Sequence, residues 1–496
     1  MSSSSTPSSP PTGAPPAAEA DDKTGGLGVR FTLIVLALMW PTQLLSLTGL
    51  LGGNSQASVA LHFRTTEIAW FLLVNALVAT VATPFVVKFA DFYGKRNVMI
   101  VITTLGLVGD VIAAVATNYS TVLIGRGIAG MYGPIGALAY ASIRELFPPR
   151  HVGTASGVIG SGIAFVALGG PFLAGWLLDD FGFRGVLWAL AAATAVGLLL
   201  LLLVVPETSL RTERTRIDWL GGVLLGGGAA SVTYGVGKGG EWGWTDGSTL
   251  AFIVGGLLAI VVFVLVERKV SHPIFDMSMM SRRSVWSVIL ATSVISGTVY
   301  GTGVISQLLV LFPKIPTISD GLGMTATHFA IIGIPSSLMI LAVGFGTGVV
   351  LRKVDVRLPL ALGVLFTMAS FLVQMKWHYT DTQLMWLGPI YAIGMGMIVA
   401  SVPVMIIEAV TPEEQAAANG MQILGQGVAT AVITQLVYVT LNHDSTVVKG
   451  TRFYLDAGYK NAFLLGAGLA LLGLLTLLLV PRLKRAQEVE TVQVEA

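Results

Sequence analysis

No cysteine occurs in the 496 residues, which removes disulfides, thiol nucleophiles and thiolate-held zinc or iron–sulfur clusters from the possible chemistries. Charge is scarce as well: Asp, Glu, Lys and Arg make up 11% of the chain, against about 25% in an ordinary soluble domain. The six histidines, His62, His151, His272, His328, His378 and His443, fall mostly in expected loops without paired spacing, so neither a metal centre nor a haem is expected. The Gly-x-x-x-x-Gly-Lys-Ser/Thr phosphate loop is missing and the polar stretches are too short for a nucleotide-binding domain, which argues against an ATP-driven pump. The net charge is only +2 and the basic residues are scattered over short loops, so nucleic acid is not an expected partner. No polar cluster inside the apolar segments could run a reaction; no catalytic residue and no cofactor is expected.

What fills the chain instead is apolar: 54% of its residues are hydrophobic, in runs too long for membrane β-strands and long enough for helices that satisfy their own backbone hydrogen bonds in lipid. Residues 1–29 are rich in Ser, Pro and Ala and read as a disordered tail, not a signal peptide. Run length predicts fourteen spans, at about 31–52, 68–88, 98–117, 121–143, 152–177, 185–205, 219–237, 249–267, 285–312, 327–351, 358–376, 384–409, 417–440 and 461–481. An even count puts both termini on one side. Most of the 29 Lys and Arg fall in the loops on that side, which the positive-inside rule makes cytoplasmic, in a plasma membrane.

Between the second and third spans the chain reads Asp91-Phe92-Tyr93-Gly94-Lys95-Arg96, a tight turn with a glycine for an unusual backbone angle. With Ala90 before it, this resembles the signature loop of the major facilitator superfamily, Gly-x-Leu-Ala-Asp-Arg-x-Gly-Arg-Lys, although Val87, Phe89 and Phe92 depart from it. The resemblance implies a conformational switch at Asp91, Gly94, Lys95 and Arg96; the alternative is an ordinary basic turn. In the fourth span, Gly125-Arg126-Gly127-Ile128-Ala129-Gly130 is similar to the family's Arg-x-x-Gln-Gly, with Ala129 in place of Gln. An arginine in a span is costly and usually functional, unless it snorkels to the interface. In the fifth span, Gly170-Pro171-Phe172-Leu173-Ala174-Gly175 resembles the antiporter motif Gly-Pro-x-x-Gly-Gly. Small residues allow close helix approach and the proline implies a kink, the alternative being tight packing alone.

Further matches lie at Val205-Pro206-Glu207-Thr208, Arg216-Ile217-Asp218-Trp219-Leu220-Gly221, Glu241-Trp242-Gly243-Trp244, Glu267-Arg268 followed by His272-Pro273, and Thr411-Pro412-Glu413-Glu414-Gln415. Their order is similar to that of the fourteen-helix drug:proton antiporter family. The resemblance implies an all-α polytopic membrane protein. It would have six-helix bundles at 30–206 and 284–481, a linker with an extra two-helix hairpin at 207–283, and a cytoplasmic tail at 482–496. It also implies secondary transport, with export of hydrophobic or amphipathic small molecules against protons, by a monomer in the bilayer. A same-fold importer or exchanger of one metabolite is the nearest alternative, and a membrane scaffold or sensor a more distant one.

Proton coupling needs a titratable group in the membrane. The family's Leu-Asp-x-Thr pattern falls on Leu45-Ser46-Leu47-Thr48, so its acid is absent here. Asp110 is the acid well inside a span, and folding back at residues 118 and 119 brings it to the depth of Arg126, where the two could pair. Asp110 is therefore the expected coupling acid, with Arg126 modulating it, the alternative being a static structural pair; Glu408, near the inner end of its span, is a weaker candidate, the alternative being a carboxylate facing cytoplasmic water. For the substrate cavity the polar residues Asn54, Gln56, Asn75, Gln307, Gln422 and Gln426 are singled out, although several of them are expected to bond neighbouring helices instead; Tyr300, Met395 and Met397 are candidates for an adaptable apolar wall, with packing or lipid contact the favoured alternative.

Overall fold

The computed structural model describes residues 28–208, 218–270, 277–351, 353–411 and 414–481; the two tails and most of the 207–218 stretch lie outside them. The chain is helical almost throughout. Helices α1 (Val29–Thr42) and α2 (Leu44–Phe63) meet at a break beside Gln43, then come α3 (Trp70–Tyr93), α4 (Lys95–Val115), α5 (Tyr119–Ala129), a 3-10 turn at Gly130–Tyr132, and α6 (Ile135–Leu146). After them run α7 (Pro149–Leu203), α8 (Trp219–Trp242), α9 (Gly247–Glu267), the short α10 (Met277–Met280) and α11 (Arg283–Leu311). The remainder is α12 (Ala326–Ile332), α13 (Ile334–Val350), α14 (Arg357–Gln374), α15 (Asp381–Ala409), α16 (Gln415–His443) and α17 (Asp456–Leu477). Two antiparallel hairpins, β1 (Lys314–Ile315) with β2 (Ser319–Asp320) and β3 (Ser445–Val448) with β4 (Thr451–Tyr454), interrupt the helices.

Among the described residues, eleven helices are long and apolar enough to cross a membrane, or thirteen if each of two bent pairs is one span. The bends are 48° in α3 beside Pro84 and 43° between α12 and α13. A proline has no N–H to give the preceding turn, which accounts for the first. The 55-residue α7 would be about 80 Å long if straight, but Gly182 (φ 65°) leaves helical geometry. The chain reverses there. Before it, Ile159 and Gly170 lie beside Gln43 and Leu50, running parallel to α1 and α2. After it, Phe183 packs on His62 and Phe63, and Ala193 accepts a hydrogen bond from Trp40 Nε1 at 2.9 Å, so the direction is opposite.

Helix ends are capped by the short polar residues that loops supply: Asn118, Asp218, Asp246, Thr325 and Thr380 each accept a backbone N–H of their own first turn. In lipid, helices gain little from hydrophobicity against one another, and close contact between small residues takes over. Gly109 and Gly125 show this: a methyl group on Gly109 would lie 2.4 Å from Ala129 N, and one on Gly125 would lie 2.5 Å from Ala113 N. Helix α8 uses glycines along its length. Gly222 and Gly226 receive Phe85 and Val81 of α3, while Gly237 and Gly240 receive Gln435 and Val439 of α16. Its partner α9 lies outermost, with most of its apolar side chains exposed.

The end of α2 and the start of α17 share one face, because Thr451 and Gly450, just before α17, reach Ala60 O and Arg64 O. The start of α1 and the end of α17 therefore share the opposite face, called the terminal side below; the hairpins lie on the far side.

Candidate functional site

Asp110 and Arg126 come to the same depth because α4 and α5 cross backbone to backbone at Gly109 and Gly125, one residue before each. Both side chains are sealed from solvent, at 2% and 0% exposed. Arg126 does not snorkel: its Nε donates to Phe71 O at 3.5 Å and its guanidinium lies 5.0 Å from the Phe71 ring centroid. The expected ion pair is not formed, for no nitrogen of Arg126 lies within 4.0 Å of the carboxylate. Asp110 instead accepts a 2.7 Å hydrogen bond from Thr194 Oγ1. Both terminal nitrogens of Arg126 find no hydrogen-bond partner among the described residues. Gly52 leaves them room, since a methyl group there would lie 3.1 Å from Nη2. Around this pair, Asn75 Nδ2 donates to Arg126 O at 3.1 Å, and the Thr48 and Tyr132 hydroxyls are 2.5 Å apart. Asn75, expected to face a cavity, thus braces α5 against α3.

In the switch loop, Gly94 sits at φ 92°, and a methyl group on it would lie 2.4 Å from Glu207 Oε1, so glycine is required twice over. Lys95 pairs with Glu145 on α6, and its backbone N–H donates to Thr208 Oγ1 at 3.4 Å. Arg96 donates to the carbonyls of Leu201 and Leu202 at 3.3 and 2.8 Å, and Asp91 lies in the electrostatic field of Lys88, Lys95 and Glu145. The loop therefore ties together the terminal-side ends of α3, α4, α6 and α7.

In the first half of α7, Gly170 packs against Leu50 and Gly175 against Thr327 of α12. Pro171 lies inside the helix and the backbone there stays helical; the departure from helical φ/ψ is at Gly182. One turn beyond Gly175, Asp179 accepts the N–H groups of Ala326 and Thr327 at 3.0 and 2.9 Å. Other contacts cross between the chain's two halves in the same far-side region. Tyr438 of α16 donates to Gln56 Oε1 of α2, and Gln307 of α11 occupies the space over Gly53.

The remaining candidates do not form one site. Gln422 and Gln426 bond each other at 3.1 Å along α16, Asn54 is buried in α2, and Glu408 is half-buried near the terminal-side end of α15. Tyr300 is 45% exposed in the middle of the otherwise well buried α11, and lies two turns from Gln307 on the same helical face. That face meets α2 at Gln307 and stands open at Tyr300. Sequence reading missed Thr194, Tyr132, Tyr438, Glu145 and Asp179. Glu145 and Asp179 carried a signal, as acids at the edges of spans; a lone threonine or tyrosine in an apolar run carried none.

The Major Facilitator Superfamily profile matches residues 29–434. The uncharacterized MFS-type transporter YhcA of Bacillus subtilis is 27% identical over 68% of this chain and 62% of its own length. The tetracenomycin C resistance and export protein of Streptomyces glaucescens is 25% identical over 67% and 62%. The uridine/deoxyuridine transporter of Lactococcus lactis is 27% identical over 63% and 66%. The chain thus spans somewhat under two thirds of the length of these relatives. In fold it is similar to the crystal structure of the peptide transporter POT in complex with sulfate, with a TM-score of 0.64 and 14% identity over 90% of this chain and 94% of that one. The chain belongs to the major facilitator superfamily and is a multi-pass membrane protein.

Proposed function

We propose that the protein exports hydrophobic or amphipathic small molecules in exchange for protons, as a monomer in the plasma membrane with both termini in the cytoplasm. The observation that carries this reading is Asp110: a carboxylate sealed from water, bonded to Thr194 and left unpaired by a buried guanidinium at its own depth. Adding or removing one proton there changes the net charge of a buried site that holds one acid and one guanidinium, the kind of change that drives a two-state transporter between its forms.

The direction of transport draws on the tetracenomycin C resistance and export protein among the relatives, and on the glycine-lined α7, whose Gly175 and Asp179 grip α12. The reversal at Gly182, added to the two bent pairs, supports fourteen crossings. In this reading residues 30–206 and 284–481 are the rocking bundles, 207–283 carries the extra hairpin, and the cavity between them opens past Tyr300 toward the cytoplasm. Glu408 and the Gln422–Gln426 pair then lie on the walls of that opening.

The test is transport by purified protein in liposomes with an imposed proton gradient, following a fluorescent cationic dye and internal pH together. Dye should move against its own gradient, stop with a protonophore, and lose its pH dependence in Asp110→Asn while the variant stays folded. Full activity in Asp110→Asn would remove the role of this residue. The uridine/deoxyuridine transporter favours a second reading, a carrier for one polar metabolite. Flat dye and pH traces with a folded protein, together with nucleoside flux, would select it.

A further inference from the structure

A recess of about 810 Å³ lies between α3, α4 and α8, apart from Asp110 and Arg126 and with one end beside the switch loop. It exists because α3 bends by 48° at position 84 while α8 stays clamped to it through Gly222 on Phe85 and Gly226 on Val81. Along α3 it runs from Leu77 to Tyr93, about 24 Å at 1.5 Å per residue. Its walls are hydrocarbon, apart from Tyr93 and Asn97 at one end, where Trp219 stacks on Phe85 at 5.1 Å.

Three properties identify what fills it. Water has nothing to bond to along the apolar length, and an apolar space this large next to solvent lipid does not stay empty. The recess is continuous with the bilayer-facing surface, for its α4 wall includes Val101 and Leu105, 57% and 40% exposed on the flank of a membrane span. Its one polar end carries a tyrosine, a tryptophan and an amide, the residue types found at headgroup level. A long, thin, apolar occupant with one polar end matches these three.

We propose that the recess is a binding site for one acyl chain of a glycerophospholipid of the terminal-side leaflet, with its polar end at Tyr93, Asn97 and Trp219. The site rests on the protein's being a membrane protein and not on proton exchange or export. Its mouth adjoins Gly94 and Lys95, so an occupied site props α3 against α4 beside the switch loop.

The experiment uses the full chain in nanodiscs of phosphatidylcholine containing a fraction with a diazirine at the end of one acyl chain. After irradiation, labelled residues are mapped by mass spectrometry. Residues of α9 such as Leu257 and Leu265, which face bulk lipid, report the background. Labelling at Val78, Val101 and Met131 should exceed that of α9 severalfold, and filling the recess by Ala82→Trp or Ala230→Trp should abolish the excess without altering α9. Equal labelling of the recess and α9 in the wild type would overturn the proposal, whether or not a filled variant folds. Loss of the excess on adding a fluorescent cationic dye, with α9 unchanged, would also overturn it and assign the recess to a soluble amphipathic ligand.

Discussion

A buried charge whose hydrogen-bonding groups go unsatisfied is an expense that a fold does not maintain for stability alone. Arg126 is such a charge: its two terminal nitrogens are unsatisfied among the described residues, Asp110 acts on it only through space, and a long backbone contact and an aromatic face are beside it. Arg126→Met should therefore leave thermal stability equal or raised, while shifting or removing the pH dependence of transport. A loss of about 3 kcal/mol or more in thermal or denaturant unfolding would mean that the guanidinium has an ionic partner. The sequence made Asp110 and Arg126 legible because charges stand out in apolar runs, and the helical rise gave their common depth. Their failure to pair was not legible, because it depends on Thr194, which is 84 positions away and is one of many hydroxyl groups in the chain.

At the level of helices, the crossing of α4 and α5 allows a controlled comparison. A methyl group on Gly125 meets backbone at 2.5 Å, whereas one on Gly136 in α6 meets nothing within 4 Å. Gly125→Ala should lower stability by about 1–3 kcal/mol, and Gly136→Ala should leave the unfolding midpoint unchanged or slightly raised; equal effects would contradict the close crossing. Between α10 and α16, Arg282 bonds Glu414 at 2.5 Å with help from the Thr411 N–H, and this holds the Glu414 carboxyl below the usual glutamate range. The folded form thus binds that proton more weakly than the unfolded chain. The stabilisation is complete above about pH 4.3 and is lost as pH falls through the lower folded value. Glu414→Gln should be less stable than wild type at neutral pH, with the gap closing in acid, as read by thermal unfolding at both. Helix positions followed closely from run length: span nine, expected at 285–312, is Arg283–Leu311, and span twelve, expected at 384–409, is Asp381–Ala409. The breaks were less visible. The bend in α3 has a proline to explain it, whereas the departure from helical φ/ψ in α7 falls at Gly182, a glycine that carried no signal. The two hairpins were absorbed into loops because their strands are two to four residues long.

On the scale of the whole molecule, the far side is where the two halves grip each other, through Gln56 with Tyr438, Gly53 with Gln307, and Asp179 with the start of α12. Alternating access requires these contacts to part once per cycle. Because the chain has no cysteine of its own, the double variant Gln56→Cys, Tyr438→Cys would hold the only thiols. Its oxidation should stop transport and reduction should restore it; undiminished transport by fully crosslinked protein would exclude rocking about this contact. None of this closure was readable beforehand, since the contacts join residues from 147 to 382 positions apart, and Gln56 was singled out only as a polar residue in an apolar run.

The turn at Gly182 has a consequence for how the protein is made. The chain reverses within a helix, with one residue in place of a loop. Nothing polar separates the two arms long enough for the first to settle before the second emerges from the ribosome. The arms should therefore enter the membrane together, as a preformed helical hairpin, carrying Asp179, Asp180 and Arg184 across at its tip. Lengthening that tip would turn one insertion event into two, and the cost would appear in the yield of membrane-integrated protein before any change in its transport.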